Sequence, residues 1–287
     1  MSQNEIKNQV RQFYNQIGWK TVSEGVYQNA RYEDLRNVSQ EYVHRCHLRI
    51  NRHLKTEGKL ILDAGSGPVQ YPEYLTYSKN YDKRVCVDIS ILALKEARDR
   101  IGQDGLYVVA DVSKLPFNNE VFDSVVSLHT LHHLPLNDQK KSYQELHRTL
   151  IPGSPGVIVN GWTHSPLMHN LKWLVSFLEW IGRGIARRRG ISIEQQENDS
   201  LEGRNPKKDQ TGTFIEKLDY QWIKEEIASH MRIEVKVWRS VNVRFLRAVV
   251  HKPYGKLFLK ILYWLEETAP FYFGTRGQYP MIIINKD

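Results

Sequence analysis

The residues with the clearest chemical potential form a short segment, 63–67 (DAGSG), which directly follows the apolar run 60–62. Gly65 and Gly67 lack a Cβ atom, so this backbone can adopt positive φ and a bound molecule can lie directly against the peptide groups. Asp63 can then hold either the turn or the bound molecule. An apolar strand that ends in an acid and a glycine turn is typical of a site for a nucleotide-like ligand.

The spacing of the glycines argues against a loop that binds pyrophosphate. A dinucleotide-binding loop has a third glycine three residues after the second, but this chain has Gln70 there, and Pro68 directly follows Gly67. A nicotinamide-dependent oxidoreductase is therefore only an alternative. It is favoured by the carboxylate of Asp88 and disfavoured by the missing glycine.

Two further acids follow apolar segments at the intervals that a βαβ unit predicts. Asp88 ends the segment 84–87 about 20 residues after the turn, where a carboxylate that accepts hydrogen bonds from both ribose hydroxyls belongs. Asp111 and Val112 follow the segment 106–110 and offer a carboxylate and an apolar wall to the edge of an adenine. We therefore expect one ligand-binding edge along the carboxyl ends of successive parallel strands.

Together these features resemble the class I methyltransferases that use S-adenosylmethionine, in particular the small-molecule branch that includes the quinone C-methyltransferases. The resemblance covers residues 55–165 closely and the last strand loosely. It implies a Rossmann-like α/β fold, with a seven-stranded, mostly parallel sheet and helices on both faces. It also implies S-adenosylmethionine as the cofactor. The cofactor-binding residues that it implies are Asp63, Gly65 and Gly67 at the methionine part, Asp88 at the ribose, Asp111 and Val112 at the adenine, and Ile89 and His129 as further contacts.

Three histidines, His129, His132 and His133, lie just past the segment 121–128, which we predict as the fourth strand. As a general base, His132 or His133 would lie close to the transferred methyl group, because an imidazole can accept a proton at neutral pH. The alternative is a turn that caps the next element. We expect no metal, since zinc sites add Cys, Asp or Glu ligands at defined intervals and none is evident nearby.

Aromatic and polar residues outside these motifs are candidates for contact with the methyl acceptor. Three of them lie near N-terminal helices that we predict to cap the cofactor cleft, and simple packing on the sheet is the alternative for them. Each of the other three could equally be structural. The substrate-binding candidates are Tyr14, Trp19 and Tyr27 in the N-terminal part, Trp162 and His164 after the fifth strand, and Arg276 in a turn at 274–277.

The pattern of strands and helices predicts a single methyltransferase domain with two insertions. Connections in α/β units are about 2–6 residues long, so the stretches 165–217 and 243–276 are too long to be simple links. Because the chain leaves parallel strands at the ligand-binding edge, both should overhang the site. We divide the chain into an N-terminal helical cap (1–56), a cofactor-binding core (57–164), a lid insertion (165–217), further core (218–242), a second lid insertion (243–276) and the last core strand (277–287).

Both lid insertions are rich in apolar and aromatic residues, including Trp173, Trp180 and Trp264. This composition favours a substrate with an apolar or aromatic body over a sugar phosphate or a free amino acid. With basic residues nearby, it is also typical of helices recruited to anionic lipid, although helices of globular proteins most often bury their apolar side internally. Peripheral membrane contact is therefore an open alternative. Residues 191–213 are polar, and we expect a mobile loop there.

The composition limits the class of protein. The chain has 287 residues, a formal net charge of +8 and two cysteines, of which Cys86 alternates with valines in a predicted strand. We therefore expect buried thiols in a reducing compartment. The N-terminus lacks a signal-peptide pattern and no apolar run is long enough for a bilayer, so we expect a cytoplasmic protein, with any peripheral contact at the inner membrane surface. We interpret the basic clusters at 45–59 and 183–189 as solvated helix faces, so nucleic acid is not the partner we expect.

The sequence thus predicts transfer of a methyl group from S-adenosylmethionine to an oxygen, nitrogen or carbon nucleophile. The expected acceptor is a small, largely apolar or aromatic metabolite, such as a specialised product or a quinone or lipid-like precursor. We expect no obligate protein partner. The alternatives are a nucleic-acid-binding or RNA-modifying protein of the same fold, and a regulator that binds S-adenosylmethionine without turnover.

Overall fold

The chain is built around a mixed sheet, seen here in a computed structural model. The structure describes residues 3–18, 21–23, 26–27, 33–34, 36–188, 213–249 and 252–287. Its strands are β1 (Thr21–Ser23), β2 (Val26–Tyr27), β3 (Gly58–Ala64), β4 (Tyr81–Asp88), β5 (Gly105–Val109), β6 (Ser124–Leu128), β7 (Ser154–Val159), β8 (Arg232–Arg239) and β9 (Tyr279–Lys286). Its α-helices are α1 (Gln3–Phe13), α2 (Gln40–Leu48), α3 (Ile91–Ile101), α4 (Leu136–Thr149), α5 (Pro166–Asn170), α6 (Lys172–Arg188), α7 (Tyr220–Trp222), α8 (Val243–Ala248), α9 (Lys252–Thr268) and α10 (Pro270–Arg276).

Seven of these strands form one sheet in the order β5-β4-β3-β6-β7-β9-β8. The first five strands are parallel, and β9 is antiparallel to both of its neighbours, so β8 runs in the same direction as the parallel strands. The carboxyl ends of β3, β4, β5 and β6 therefore meet at one edge. This arrangement confirms the predicted Rossmann-like fold. A separate antiparallel pair joins β1 to β2.

The strands divide the core into two layers. β3, β4, β6 and β7 each contain four consecutive buried residues, as expected when helices cover both faces of a parallel sheet. Alternate side chains point to opposite faces. Ile61 and Val126 pack in one layer with α2, α6, α8 and α9, whereas Leu62 and Val125 pack in the other with α4 and residues just after α7.

A buried acid ties the second insertion to the core. Glu266 in α9 is fully buried and accepts hydrogen bonds from the Tyr42 hydroxyl at 2.6 Å, from the Ser240 N–H at 2.9 Å and from Arg49 Nη2 at 3.1 Å. Arg49 also donates to the Trp238 carbonyl at 2.5 Å. These contacts fix α9 against α2 and the end of β8. They also show that Arg49, expected on a solvated helix face, is instead a buried structural cation.

The long helices of the two insertions lie elsewhere than expected, although the end of the first insertion, 213–217, does line the cavity. α6 packs on the sheet through Val175 and Leu178, and α9 through Leu259 and Tyr263. As far as the structure describes them, neither helix lines the cavity at the carboxyl edge, so the prediction that both overhang the site is wrong for these helices. The topology fixes where the chain leaves a strand. It does not fix where a long amphipathic helix then finds an apolar surface to cover.

Smaller differences concern the ends of elements. α1 ends at Phe13 and continues as a π-helical turn over Tyr14–Gly18. The core stretch that begins at 218 contains the short α7, followed by a π-helical turn over Ile223–Ile227. Arg276 ends α10 and does not lie in a turn. The expected loop at 191–213 lies outside the described residues except for its last residue.

Two further observations concern the cysteines and the apolar character of the helices. Cys46 and Cys86 are both buried free thiols. Among the helices that the structure describes, none is both long and apolar enough to cross a bilayer.

Candidate active site

A cavity of about 380 Å³ lies at the carboxyl edge of the sheet. It is lined by residues that directly follow β3, β4, β5 and β6, together with residues of α1 and of the segment 213–217. Ten of the residues predicted from the sequence come together in its wall: Tyr14, Gly65, Gly67, Asp88, Ile89, Asp111, Val112, His129, His132 and His133.

The glycine turn forms a wall of bare backbone. Gly65 and Gly67 have φ values of 76° and 55°, in the left-handed region that favours glycine. A Cβ atom on Gly65 would lie 2.1 Å from the side chain of Thr130, so no larger residue fits without moving the segment after β6. The turn can therefore approach a ligand closely, as the sequence predicted.

Asp88 is held in place by the backbone around it. Its Oδ2 accepts a hydrogen bond from the Gly67 N–H at 2.9 Å, and its Oδ1 accepts one from the Ser90 N–H at 2.8 Å. Burial raises the pKa of Asp88 to about 6, despite these hydrogen bonds, which lower it. Each carboxylate oxygen can accept further hydrogen bonds. A fixed carboxylate beside a side-chain-free turn fits the ribose of an adenosyl ligand.

Asp63 has a different position from the one that the resemblance implied. Its carboxylate is buried in an ion pair with Arg84, and it does not line the cavity. Arg84 also donates to the carbonyl of Tyr74 at 2.5 Å. Direct contact with the methionine part is therefore absent from this arrangement. The arrangement instead links Asp63, through Arg84, to the segment at Tyr74 that follows the turn.

The N-terminal helix closes the end of the cavity near Asp111. Lys7 in α1 forms ion pairs with Asp111 at 2.6 Å and with Asp138 at 2.7 Å. Burial alone would lower the pKa of Lys7, but hydrogen bonds to both carboxylates raise it above its usual value. Ser90 also donates a hydrogen bond to Asn15 Oδ1, at 2.6 Å. This end of the chain is thus attached to the segments after β4 and β5 and to the first turn of α4.

His133 uses both of its ring nitrogens. Its Nδ1 lies 2.9 Å from the carbonyl of Phe214, which can only accept, so Nδ1 carries the proton. Its Nε2 therefore accepts from the Tyr14 hydroxyl, at 2.7 Å. Burial lowers the pKa of His133 to about 4, so the ring is neutral at pH 7. The arrangement leaves no free lone pair on His133 and makes it an anchor for the cap.

His132 is arranged differently. Its Nδ1 lies 3.2 Å from Asn160 Oδ1, and in the tautomer in which Nδ1 donates to this oxygen the lone pair is on Nε2. Nothing in the described part of the chain hydrogen-bonds to this Nε2. Burial and the neighbouring His133 and His129 hold the pKa of His132 well below its usual value. Of the two predicted bases, only His132 retains a site that can accept a proton.

His129 contributes to the wall of the cavity through its ring. Its φ is 55°, and its N–H donates to the Val159 carbonyl at 2.7 Å. The ring meets Trp238 and Tyr279 edge to face, with centroids 4.9 and 5.7 Å away. Burial, followed by the charge of Arg239, lowers the pKa of His129 to about 3. His129 is therefore a neutral aromatic residue at this site.

Sequence reasoning missed one side of the cavity, which we call the aromatic end and which consists of His47, Tyr71, Tyr74, Arg239 and Tyr279. Arg239 is the last residue of β8, and a polar residue at the end of a strand is the signal that found Asp88. The two tyrosines closely follow the glycine turn. His47 gave no signal, because it belongs to a helix that precedes the whole core.

Three predicted substrate residues lie outside this cavity. Trp162 is buried and donates its indole N–H to the Gly274 carbonyl at 2.8 Å, so its role in the structure is packing. His164 lines a separate cavity of about 520 Å³ beside α5 and α6. Arg276 is exposed, with its guanidinium 5.0 Å from the ring of Tyr272. The structure therefore places none of the three at the cavity. Trp162 and His164 follow β7 without facing the cavity, and Arg276 ends a helix that does not line it.

Two other substrate candidates cannot be placed. Trp19 and the side chain of Tyr27 lie outside the described residues. For metals, the described residues contain no group of three His, Cys, Asp or Glu side chains that could hold an ion.

Comparisons with sequences of known proteins give the class of the core. A family model for a methyltransferase domain matches residues 62–158. A curated relative from Arabidopsis thaliana, tRNA (carboxymethyluridine(34)-5-O)-methyltransferase, is 31% identical over 51% of this chain and 40% of its own length. The chain therefore spans less than half the length of this relative.

Two solved structures align with nearly the whole chain. The [4+2]-cyclase SpnF has a TM-score of 0.55 at 16% identity, over 98% of this chain and 96% of its own. Geranyl diphosphate C-methyltransferase from Streptomyces coelicolor A3(2), solved with Mg²⁺, geranyl diphosphate and S-adenosyl-L-homocysteine, has a TM-score of 0.55 at 13% identity, over 98% of both chains. At these identities the likeness shows the fold and no more.

Residues 62–158 are therefore a methyltransferase domain, set in a sheet of the class I, Rossmann-like type. A methyltransferase domain of this class uses S-adenosylmethionine as its cofactor, which agrees with the prediction from the sequence. The narrower resemblance to the quinone C-methyltransferases stays a prediction.

Proposed function

We propose that the chain transfers a methyl group from S-adenosylmethionine to an oxygen, nitrogen or carbon nucleophile of a small, largely apolar or aromatic metabolite. The observation that carries this proposal is the continuity of one cavity. Gly67 and Asp88, which suit an adenosyl ligand, line the same space as Tyr71, Tyr74 and Tyr279, which suit an apolar acceptor. Two ligands held in one enclosed space are what direct group transfer requires.

The residues of the chain act mainly by binding and orientation. Asp88 would accept hydrogen bonds from the ribose hydroxyls, the turn at Gly65 and Gly67 would hold the methionine part, and Val112 would lie against the adenine. S-adenosylmethionine itself supplies the activated methyl group on its sulfonium. The cap formed by α1 excludes water, and the aromatic end orients the nucleophile towards the methyl group.

A base is needed only where the nucleophile carries a proton, and we assign that role to His132. Its free Nε2 can accept the proton, whereas His133 is occupied by Tyr14. His132→Gln should lower kcat by about 100-fold and leave the Kd for S-adenosylmethionine nearly unchanged. His133→Gln is the matched control and should mainly weaken cofactor binding. Equal kcat values for the wild type and His132→Gln would remove this role.

The test of the proposed function combines binding and turnover. S-adenosylmethionine and S-adenosylhomocysteine should each raise the melting temperature, because a ligand that binds only the native state stabilises it by about 2.7 kcal/mol at 100 times its Kd. NAD should not. Labelled S-adenosylmethionine should then transfer its methyl group to the small-molecule fraction of a cell extract. Stabilisation by NAD alone, or binding of S-adenosylmethionine without any transfer, would contradict the proposal.

A second candidate function is methylation of RNA, which the name of the Arabidopsis relative favours. The expectation that nucleic acid is not a partner therefore gains no support from this relative. Against the RNA function, arginines of the basic segment 45–59 are engaged in ion pairs: Arg45 with Glu41, Arg49 with Glu266 and Glu267, and Arg52 with Glu267. Such arginines are less available for phosphates. Transfer of the label to bulk tRNA, and not to small molecules, would decide for this candidate.

We also propose peripheral contact with an anionic membrane through α6 and α9. Trp173 and Trp180 on α6 are 69% and 65% exposed, and Trp264 on α9 is 62% exposed. Large exposed apolar side chains are uncommon in such numbers unless they serve as a contact surface. On α9, the exposed residues Leu257, Ile261, Trp264 and Leu265 recur at helical spacing.

The charges on these helices suit anionic lipid. Lys172, Lys256 and Lys260 are exposed. The acid of α6, Glu179, pairs with Arg244, and Glu266 and Glu267 of α9 pair with Arg49. Aromatic residues beside lysines are typical of helices that lie in a membrane interface.

Flotation with vesicles tests this contact. The protein should float with vesicles rich in phosphatidylserine at low salt, and the variant Trp180→Ser/Trp264→Ser should remain at the bottom. Leu106→Ser, which removes an exposed apolar residue from the edge strand β5, is the matched control and should float. Flotation that is absent, or equal for both variants, would contradict the proposal. Concentration-dependent dimers that Trp180→Ser/Trp264→Ser abolishes would instead assign the surface to a second copy of the chain.

A further inference from the structure

Buried polar atoms without partners gather at the aromatic end of the cavity. Both ring nitrogens of His47, Nε of Arg239 and Oε1 of Gln70 are buried and make no hydrogen bond within the part of the chain that the structure describes. All three side chains line the cavity. Because native proteins pair nearly all of their buried polar groups, such a cluster around a cavity calls for a bound group that completes it.

Arg239 is fixed in an orientation that leaves one donor over. Its side chain is 2% exposed, and its Nη1 donates to the carboxylate of Glu33. The guanidinium lies 4.7 Å from the ring centroid of Tyr279 and 5.0 Å from that of Trp238. These contacts hold the planar group in one orientation, and its Nε–H remains unpaired.

His47 is held by stacking and has no hydrogen-bond partner. It is 1% exposed, and its ring stacks on Trp238 with centroids 5.3 Å apart and planes 15° from parallel. Its Nδ1 lies 3.6 Å from Glu73 Oε2, which is too long for a hydrogen bond. The ring also meets Tyr71 and Tyr74, with centroids 4.7 and 5.3 Å away. His47 thus offers a fixed polar edge among aromatic walls.

The charges at this end leave room for one anion. Arg239, Lys217 and Glu33 lie in the wall of the cavity, and Glu73 lies outside the wall against His44 and His47. Glu33 offsets the charge of Arg239, so the charge of Lys217 is the one that no acid of the wall pairs with in the described part of the chain. A ligand with a single negative charge would balance the charge of Lys217, whereas a neutral ligand would leave it uncompensated.

The strand order places this end away from Asp88. Arg239 belongs to β8 and Tyr279 to β9, which are the last two strands in the order of the sheet. Asp88 ends β4, which lies near the opposite edge of the sheet. Arg239 therefore lies away from the proposed ribose site, whereas Gln70 follows the glycine turn beside it.

We propose that the methyl acceptor is a planar aromatic carboxylate, whose carboxylate accepts hydrogen bonds from Arg239 Nε and from His47. Its ring lies among Tyr71, Tyr74 and Tyr279, where aromatic side chains pack edge to face or offset against it. This inference rests on the proposed function and specifies the acceptor class for the same site. Glu33 sets the strength of binding, because its negative charge beside Arg239 opposes the binding of an anionic ligand.

The probes are 1-hydroxy-2-naphthoate and its uncharged methyl ester, titrated by calorimetry into protein saturated with S-adenosylhomocysteine. The naphthoate should bind at least about tenfold more tightly than the ester, as expected for hydrogen bonds to a charged group. Arg239→Gln should remove this difference. His47→Phe, which keeps the stacking and removes the nitrogens, should weaken naphthoate binding several-fold.

Glu33→Gln gives the sharpest result, because its effect has the opposite sign. Without the negative charge of Glu33 beside Arg239, the naphthoate should bind several-fold more tightly. An ion pair with only a structural role would weaken binding in both Arg239→Gln and Glu33→Gln. Arg52→Gln, which removes an exposed ion pair with Glu267 outside the cavity, is the matched control and should change neither probe.

The outcomes separate this inference from the proposed function. Failure of S-adenosylhomocysteine to bind would overturn the proposed function and this inference with it. If S-adenosylhomocysteine binds, three results overturn this inference alone: equal binding of both probes, no binding of the naphthoate, or weaker naphthoate binding in Glu33→Gln. Should Arg239→Gln fail to fold, Glu33→Gln and His47→Phe decide the question.

Discussion

The pKa of Asp88 links a single residue to the binding of the ribose. Burial raises its pKa to about 6 from an ordinary value near 3.8. The folded protein therefore binds the proton of the Asp88 carboxyl group more tightly than the unfolded chain does. The protonated Asp88 thus contributes to the stability of the fold below pH 3.8, and this contribution is lost as the pH rises through about 6. Hydrogen bonds from the ribose hydroxyls would favour the ionised carboxylate and so lower the pKa of Asp88 again.

Cofactor binding should consequently depend on pH. Since a ribose needs the ionised carboxylate, the Kd for S-adenosylhomocysteine should rise by about tenfold between pH 7 and pH 5. Calorimetry at several pH values measures this slope. Asp88→Asn should bind more weakly and without the slope, whereas Asp99→Asn, on the exposed side of α3, should keep it. A wild-type Kd that is constant over this range would contradict the assignment of Asp88.

Gly65 gives a second prediction for a single residue. Gly65→Ala should lower the free energy of unfolding by more than about 2 kcal/mol and abolish cofactor binding, because the new methyl group would collide with Thr130. Gly153→Ala is the matched control, since Gly153 also has positive φ but faces open space, and it should cost about 1 kcal/mol. Chemical denaturation of both variants makes the comparison. Similar losses in the two would show that the contact with Thr130 is unimportant.

The success of sequence reasoning differed between residues for a physical reason. Gly67, Asp88 and Asp111 could be placed because each follows a strand, and parallel strands bring their carboxyl ends together. His47 could not be placed, since it reaches the cavity from a helix whose docking is decided by packing. Trp162 follows a strand yet turns into the core, because the local backbone decides which way a side chain points after a strand ends.

At the scale of elements, the N-terminal cap depends on a few polar contacts. Lys7 joins α1 to Asp111 and Asp138, and Tyr14 joins the π-helical turn to His133. Sequence periodicity predicted this helix, and the resemblance to the methyltransferases implied its position over the cleft. It could not predict the ion pairs, because they connect residues more than 100 positions apart.

Loosening the cap should release the cofactor. Lys7→Met removes both ion pairs and leaves Asp138 buried with less compensation, so stability should fall by about 1–3 kcal/mol. The dissociation rate of S-adenosylhomocysteine should rise by about tenfold or more, as stopped-flow measurements would show. Lys95→Met on the exposed side of α3 is the matched control. An unchanged dissociation rate in Lys7→Met would mean that α1 does not close over the ligand.

For the two insertions, the sequence predicted that helices form but not where those helices pack. Their helices were predicted from composition, and α6 and α9 are indeed helical. Their docking could not be predicted, because one apolar side packs on the sheet while exposed tryptophans occupy another. A helix that is apolar on more than one side has several possible surfaces, and periodicity does not choose between them.

At the scale of the whole molecule, one buried network joins distant parts of the chain. Glu266 links α2, β8 and α9 over more than 200 residues of sequence. Glu266→Ala should lower the free energy of unfolding by about 3–5 kcal/mol, because it leaves Arg49 as a buried cation with less compensation. Glu267→Ala, a partly exposed neighbour, should cost about 1 kcal/mol or less. Denaturant titration of the pair is the measurement, and equal losses would contradict the account of this network.

The fold as a whole narrows the function without fixing it. Both a cyclase and a methyltransferase are among the solved structures that share this architecture. Function therefore has to be argued from the site. The sequence was sufficient for the sheet and the cofactor half of the cavity, because both depend on local patterns. The acceptor half draws on α2, β8 and β9, and only the folded chain brings these together.

The most direct measurement is a crystal structure of the protein in complex with S-adenosylhomocysteine. We expect the ribose hydroxyls within hydrogen-bonding distance of the Asp88 carboxylate, the methionine part against the backbone of Gly65 and Gly67, and the sulfur directed towards the aromatic end of the cavity. An adenosyl group bound elsewhere, or oriented with its ribose away from Asp88, would contradict the account.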